Sequence, residues 1–263
     1  MLLLLNRKRF NPRNLPNLQL WLDATRIAQA DSTSVTTWSD QSGNGYDATQ
    51  GGSAARPTFI ASGLNGLPVV RFDGTDDRLS IPSSTATFKF LHSDVSTVFI
   101  VAKAGIVADP NNRYGILGTN ANSTLQHGLM IVYDDRSANS FNNAINSGIT
   151  NGGGWRSLNL ENNYFAANTF QILTVRSDPA NSIVSDRSIY NLNGGVDEKN
   201  NTQNGNLSTS DASYNFEIGS TGNFTLPFLG DIAEIIVYNR ALNTSELAQV
   251  HRYLARKWGI QLA

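Results

Sequence analysis

Residues 230–242 read GDIAEIIVYNRAL, an apolar run that follows a glycine and gives way to an Asn-Arg pair. A run this short and this rich in β-branched residues predicts a buried strand over residues 232–238. Nine earlier segments have the same character and are bounded by turn residues: 18–22, 69–72, 78–81, 95–102, 114–117, 128–133, 170–176, 187–192 and 214–218. Short strands without helices between them predict an all-β fold, built as a two-sheet antiparallel sandwich or as a barrel.

One helix is predicted, at the C-terminal end of the sequence. Asn243 and Glu246 have the spacing of a capping box, and Gly259 is a stop signal. Between them, apolar residues recur at helical spacing: Leu247, Val250, Leu254 and Trp258. We expect an amphipathic helix whose apolar face packs on the sandwich. Three tryptophans are expected in the core: Trp21, Trp38 and Trp258.

Composition excludes several classes of protein. The 263 residues suit one large β domain or two small ones. The formal net charge is −1, so we expect no nucleic-acid partner and no membrane partner. The sequence has no cysteine, which excludes disulfides, thiolate nucleophiles and Cys-ligated metals. The run at residues 1–5 is too short for a signal peptide, and no segment has the roughly 18 apolar residues of a membrane span. We therefore expect a soluble protein.

The first 17 residues differ in composition from the rest of the chain. They contain four basic residues, two prolines and no acid. Because so small an apolar tip gains little by docking on its own domain, we interpret residues 1–17 as an anchoring arm. We expect another subunit, rather than residues 18–263, to order it. The arm residues expected to contact that partner are Leu2, Leu3, Leu4, Leu5, Arg7, Lys8, Arg9 and Arg13.

Two polar stretches, residues 139–168 and 197–213, are rich in Asn, Gly and Ser and are predicted to be long loops. Long loops in a compact domain are where binding surfaces are commonly found. Trp155, Tyr164 and Phe165 lie in the first stretch. They are candidates for contact with a glycan or a protein partner. The alternative, in which they pack their own loop, is left open with equal weight.

Two acidic turns are candidates for a calcium site. Their oxygen-bearing side chains are Asp40, Ser42 and Asn44 in the first turn and Asp73, Asp76 and Asp77 in the second. The first turn matches the beginning of a calcium loop up to Gly45, but Gly51 stands where a bidentate Glu is required. Since these residue types also organise turns through their own backbone, we expect no metal or other cofactor, with calcium as the alternative.

Four stretches together carry a resemblance: LWLDA at residues 20–24, WSDQSGNGYDA at 38–48, VVRFDG at 69–74 and the 230–242 stretch. They resemble the concanavalin A-like lectin/glucanase superfamily, in its laminin-G-like branch, of the kind found in bacteriophage virion proteins. The resemblance implies a two-sheet antiparallel jelly-roll sandwich for residues 18–263, with the C-terminal helix packed on it.

The glucanases of that superfamily raise the question of catalysis. Glycoside hydrolysis needs two carboxylates in one cleft, and the signature Glu-x-Asp-x-x-Glu is absent. Glu234 lies in an apolar strand, and we interpret it as a buried structural acid paired with Arg240 or with a turn amide. The three histidines lack a nucleophile context and zinc-ligand spacing. We predict no catalytic residues and no enzymatic activity.

The resemblance and the arm together favour a non-enzymatic bacteriophage virion structural protein. It would be a capsid decoration or minor capsid protein, homo-oligomeric on the virion and assembled in the host cytoplasm. Its partners would be the major capsid protein or other virion subunits, bound through the arm. The alternative is a lectin-like module that binds a host-surface glycan and is tail-associated, at a cell surface or extracellular. A cation-dependent glycosidase that uses Glu234 is the third hypothesis.

Overall fold

The structure, a computed structural model, describes residues 10–105, 113–136 and 141–263. Two antiparallel sheets enclose a common apolar core, and a C-terminal helix covers the outer face of one of them. This confirms the predicted fold class, an all-β two-sheet sandwich of jelly-roll type with one C-terminal helix.

The first sheet has eight strands. They are β1 (Leu18–Asp23), β2 (Thr33–Ser34), β5 (Thr58–Leu64), β6 (Leu67–Asp73), β8 (Ser96–Ala104), β13 (Gln171–Ser177), β14 (Ser188–Leu192) and β16 (Leu229–Tyr238). Their order across the sheet is β14-β13-β8-β16-β6-β5-β2, with β1 beside β16.

The second sheet also has eight strands. They are β3 (Thr37–Trp38), β4 (Ala48–Thr49), β7 (Leu79–Ile81), β9 (Arg113–Gly118), β10 (His127–Asp134), β11 (Ala144–Asn151), β12 (Trp155–Glu161) and β15 (Phe216–Ile218). Their order is β12-β11-β10-β9-β15-β7-β4-β3. A short helix, α1 (Phe90–Ser93), precedes β8.

The strand predicted at residues 232–238 lies within β16, which joins three other strands. One edge of β16 pairs with β8 from Gly230 to Tyr238. The opposite edge pairs with β6 over residues 229–232 and with β1 over residues 234–238. The strand is also covered on both faces, by the core between the sheets and by the apolar cluster under the C-terminal helix, which explains its nearly continuous apolar sequence.

A β-bulge reverses the side-chain direction within β16. The register against β8 shifts between Ile232 and Glu234, so β16 carries one extra residue there. Ile232 and Ile235, on either side of the shift, both point into the core between the sheets. Since neighbouring side chains of a strand point to opposite faces, Glu234 faces the outer side of the sheet, underneath the C-terminal helix.

The C-terminal helix, α2 (Thr244–Trp258), forms as predicted. Asn243 and Glu246 make the reciprocal hydrogen bonds of a capping box, and Gly259 ends the helix in the left-handed conformation at φ 67°. The buried helix residues are Val250, His251, Leu254 and Trp258. Val250, Leu254 and Trp258 belong to a second apolar cluster against the outer face of the first sheet. The predicted burial of the three tryptophans is confirmed, with exposures between 0 and 4%.

The prediction of one long loop at residues 139–168 was wrong, because β11 and β12 form a hairpin there. Asn and Gly have low β propensity, but pairing and packing override propensity in a sheet. β11 lies between β10 and β12, and its Ile145 and Ile149 point into the core. The stretch at 197–213 has no strand, as predicted. The strand β5 was not predicted.

Residues 10–17 belong to the folded domain. A short 3-10 helix, Pro12–Asn14, begins at a capping Asn11, and the backbone carbonyl of Pro12 accepts a hydrogen bond from the Tyr238 hydroxyl at 3.0 Å. The Phe10 ring lies 5.8 Å from the Tyr253 ring, between centroids. These residues dock on their own chain, contrary to the expectation for the arm. In the described ranges, no helix is long and apolar enough to cross a membrane.

Candidate functional site

Glu234, on β16, is a buried acid that is only 1% exposed. Its Oε1 accepts hydrogen bonds from Trp21 Nε1 at 2.7 Å and from the Tyr253 hydroxyl at 2.8 Å. Its Oε2 accepts from Trp258 Nε1 at 2.6 Å and from Lys257 Nζ at 2.8 Å. The predicted partner was wrong: Arg240 donates two hydrogen bonds to Glu246 instead.

Lys257 links Glu234 to a second buried acid. Its ammonium group lies 2.7 Å from Asp23 Oδ1 as well as 2.8 Å from Glu234 Oε2. Burial raises the pKa of Glu234, and the ammonium group opposes that shift. One cation therefore holds both carboxylates, and the four hydrogen bonds to Glu234 link α2 to the first sheet.

A cavity of about 660 Å³ opens beside this buried pair. Its walls are the start of the described chain at Phe10 and Asn11, the segment from the end of β1 to Arg26, and the exposed side of α2. Four lining residues are cationic: Arg26, Arg252, Arg256 and Lys257. We refer to this space as the helix cavity.

Sequence reasoning did not single out the basic residues of the helix cavity. Arg252 and Arg256 are four apart on α2, so they lie on one helix face. That spacing was the available signal. Nothing in the sequence says that β1 and residues 10–11 lie opposite this face, because the contact depends on how β1 pairs with β16.

The structure separates the three aromatic residues predicted as a contact surface. Phe165 is fully buried in the core, so its ring is not available to a partner. Tyr164 packs against the core, with its ring 5.3 Å from that of Tyr190. Trp155 begins β12 and Tyr164 follows its end, so the two residues lie towards opposite ends of a strand that is roughly 20 Å long at about 3.3 Å per residue.

Trp155 occupies the outer face of the second sheet. A bulge in the β11–β12 register places Trp155 opposite Thr150 and Leu158 opposite Gly148, so both face the same way. The indole ring lies on Gly148, where a Cβ atom would overlap it. Trp155 and Leu158 are only partly buried. The strand therefore presents a half-exposed aromatic ring beside an aliphatic side chain.

The first predicted calcium turn uses its carboxylate for its own backbone. Asp40 Oδ1 accepts from the backbone amides of Trp21 and Ser42, and Asp40 Oδ2 accepts from the Ser42 hydroxyl and the Tyr46 amide. The Asn44 side chain donates to the carbonyls of residues 18 and 19. This bonding is that of a turn which anchors β1.

The second acidic turn brings its three carboxylates close together. One oxygen from each of Asp73, Asp76 and Asp77 lies within 4.8 Å of the others, an arrangement that could hold a cation. Burial, followed by the charge of Asp73, raises the pKa of Asp77 to about 7. Backbone amides donate to Asp73 and Asp77, as in an ordinary turn. The expectation of no cofactor stays a prediction.

Most of the predicted arm contacts lie outside the described residues. These are Leu2, Leu3, Leu4, Leu5, Arg7, Lys8 and Arg9. Arg13 is exposed, and its Nε donates to the backbone carbonyl of Gln41 at 2.6 Å. That bond ties it to its own domain. The attachment role of residues 1–9 therefore stays a prediction.

Glu217, on β15, is a second buried carboxylate. Its side chain is 3% exposed, the Ser80 hydroxyl donates to Oε1 at 2.8 Å, and Oε2 has no hydrogen-bond partner. Burial raises the pKa of Glu217 to about 7, with smaller opposing effects of Ser80 and Arg78. In the unfolded chain the same group titrates near its ordinary value of about 4.3.

Glu217→Gln is expected to remove one pH dependence of stability. The raised pKa means that the Glu217 contribution is fully present below about pH 4.3 and is lost as the pH rises through 7. As the pH rises from 5 to 9, the free energy of unfolding of the variant should therefore increase by about 2–3 kcal/mol relative to that of the wild type. Urea denaturation at four pH values measures it. A constant difference between the two proteins would contradict the assignment.

Comparison with known proteins gives the fold alone. No protein-family model matches the sequence, and no curated protein matches it. Among solved structures, the botulinum neurotoxin type G receptor binding domain matches with a TM-score of 0.57 and 14% identity, covering 90% of this chain and 51% of that chain. The Trypanosoma rangeli sialidase in complex with sialic acid matches with a TM-score of 0.54 and 14% identity, covering 95% and 34%. The chain therefore shares the jelly-roll sandwich fold of these structures.

This chain spans about half the length of the neurotoxin domain and about a third of the length of the sialidase. A shorter jelly roll, the Ruminococcus gnavus IT-sialidase CBM40 bound to alpha2,3 sialyllactose, matches with a TM-score of 0.49 and 15% identity, covering 70% of this chain and 95% of that chain. At these identities the likeness concerns architecture, and activity has to be argued from the site itself.

Proposed function

We propose that this chain is a non-enzymatic glycan-binding module that holds a saccharide against the indole ring of Trp155. The observation that carries the proposal is the position of that ring. It is held against Gly148 on the outer face of an extended sheet and remains partly exposed. Aromatic rings fixed in this way offer apolar area to the C–H face of a sugar at little cost in side-chain entropy.

The surroundings of Trp155 support a binding role. Leu158 extends the apolar strip along β12 on the same face. The polar segment after Glu198 runs beside the strand, where the Asn151 side chain donates to the carbonyl of Asn206 at 2.6 Å and the Gly205 amide donates to the carbonyl of Trp155 at 3.1 Å. A rigid aromatic anchor with amide groups nearby is the usual composition of a site for polyhydroxylated ligands.

The non-enzymatic part of the proposal is supported by the state of Glu234. The only acid proposed for a glycosidase is fully used in four hydrogen bonds from side chains of its own chain. A general acid or nucleophile must reach the substrate, and this carboxylate lies under α2.

Trp155→Ala is expected to weaken glycan binding at least tenfold, because the stacking surface is removed. The glycan is first identified on an array of neutral and sialylated saccharides, a choice that includes the ligand named for the sialidase structure. Affinities of purified variants are then measured by calorimetry. Trp155→Phe should retain part of the affinity, and Tyr164→Phe, at the other end of β12, should bind as the wild type does.

The melting temperature of each variant is measured in parallel. Trp155 is only half-buried, so Trp155→Ala should remain folded, and its loss of affinity then reports the contact itself. An array without any bound glycan, or a Trp155→Ala variant with wild-type affinity, would overturn the proposal.

The virion role predicted from the sequence is a separate matter, since a virion component can also bind glycans. It depends on the attachment of residues 1–9 to a capsid or tail subunit. Residues 10–17 contact their own domain, which leaves residues 1–9 as the part of the predicted arm to be tested.

A further inference from the structure

The helix cavity is far from Trp155 in the fold and has a different chemistry. Its walls belong to β1, α2 and residues 10–11, on the outer side of the first sheet, whereas Trp155 lies on the outer side of the second. Its volume of about 660 Å³ is within the range of pockets that enclose small organic ligands.

The charges around the helix cavity do not cancel. Two acids, Asp23 and Glu234, are held by Lys257 at 2.7 and 2.8 Å, and Arg26 lies 3.7 Å from Asp23. Two acids against four cations leave a surplus of two positive charges. Arg252 and Arg256 carry that surplus, since neither has an ion pair or a side-chain hydrogen bond within residues 10–105, 113–136 and 141–263.

Two guanidinium groups on adjacent turns of one helix form a receptor for a carboxylate. Arg252 and Arg256 are exposed and four residues apart, so their planar donor groups can approach one anion from the same side. Arginine binds carboxylates through paired N–H donors, which gives direction as well as attraction.

The uncharged walls of the cavity fit a sugar ring. Tyr253 and Phe10 form a tilted aromatic pair beside the arginines, with ring centroids 5.8 Å apart. Asn11 and Gln249 also line the cavity, and the side-chain NH₂ group of Asn11 and the side-chain carbonyl of Gln249 have no hydrogen-bond partner in the described chain. The two rings thus supply an apolar face, and the two amide side chains supply a hydrogen-bond donor and a hydrogen-bond acceptor.

The geometry points to a second saccharide site in the helix cavity, specific for an acidic sugar whose carboxylate binds Arg252 and Arg256. The inference rests on the proposed saccharide-binding function and adds to it a separate location and a ligand class. The buried Asp23–Lys257–Glu234 group serves as the rigid floor that fixes the position of α2, and so of both arginines, against β1.

The test uses two probes that differ only in the group that the arginines would recognise: galacturonate, and galactose as its neutral counterpart. Binding to the full chain is followed by ligand-detected NMR and calorimetry at low and high salt. We expect galacturonate to bind at least ten times more tightly than galactose. Its affinity should fall as salt is raised, because the arginines are exposed.

Arg252→Gln and Arg256→Gln, alone and together, should remove this preference for the acid. The double variant should bind the two sugars equally. Lys89→Gln, which removes a positive charge outside the cavity lining, is the matched control and should leave the preference unchanged. Both arginines are exposed, so these variants should melt close to the wild type, which a melting curve checks.

Three results would overturn the inference. They are equal affinity for the two sugars, an undiminished acid preference in the double variant, and competition by inorganic phosphate that matches galacturonate, since then charge alone is recognised. The two sites fail separately: Trp155→Ala should leave galacturonate binding intact, and the arginine variants should leave binding at Trp155 intact.

Discussion

Glu234→Gln is expected to lower the free energy of unfolding by about 3 kcal/mol, at the lower end of the cost of breaking a buried ion pair. The amide has nearly the same shape as the carboxylate but only one acceptor oxygen. Its NH₂ group must then face two of the four donors that now bond Glu234. Lys257 is left with Asp23 as its single acidic partner. Buried donors without acceptors account for the loss.

Chemical denaturation measures this effect as a shift in the urea midpoint. Glu246→Gln is the matched control, because Glu246 also pairs with one cation, Arg240, but keeps 17% of its side chain exposed to solvent. Its pair with Arg240 should contribute at most about 1 kcal/mol. Equal midpoints for Glu234→Gln and the wild type would show that the carboxylate is dispensable to the contact between helix and sheet.

Gly219→Ala is expected to cost about 2–5 kcal/mol, for two reasons that add. The backbone of Gly219 has a φ of 75°, where an L side chain costs about 1–2 kcal/mol. The new Cβ would also overlap the ring of Phe72, which is fully buried in the core. Overpacking of a dense core costs about 1–3 kcal/mol more.

Gly66→Ala separates these two reasons. Gly66 has a φ of 76°, almost the same as Gly219, but a Cβ there would meet no atom within 4 Å. It should show the backbone cost alone. Thermal unfolding of both variants gives the comparison. Equal melting temperatures for Gly219→Ala and Gly66→Ala would mean that the Phe72 ring can move aside without a cost in stability.

Patterns that depend on one element alone could be predicted from the sequence. The capping pair Asn243 and Glu246 and the stop at Gly259 gave the bounds of α2 to within a residue. The apolar run at residues 232–238 located β16, whose two buried faces select for such residues. In both cases the signal lies within one segment of chain.

Features set by partners elsewhere in the chain could not be predicted in this way. The β11–β12 hairpin is rich in Asn and Gly, and it forms because β10 offers an edge to β11. The available signal in the sequence was the even spacing of Ile145 and Ile149, which places both on one face of a strand. Burial of Glu234 followed from its apolar neighbours, but Lys257 as its partner depends on the angle at which α2 crosses the sheet. The helix cavity depends on the same crossing.

The pairing of β1 with β16 also bears on how the chain folds during synthesis. Trp21 and Glu234 touch although 213 positions separate them. A ribosome that adds about 5–20 residues per second needs about ten seconds or more to reach Glu234 after it has added Trp21. During that time β1 lacks both its partner strand β16 and Glu234, the acceptor for the Trp21 indole. This apolar segment therefore remains unpaired. Synthesis of β16 therefore completes the first sheet, and α2 then covers its outer face. In a nascent chain that lacks both elements, β1 is exposed to chaperones or to aggregation.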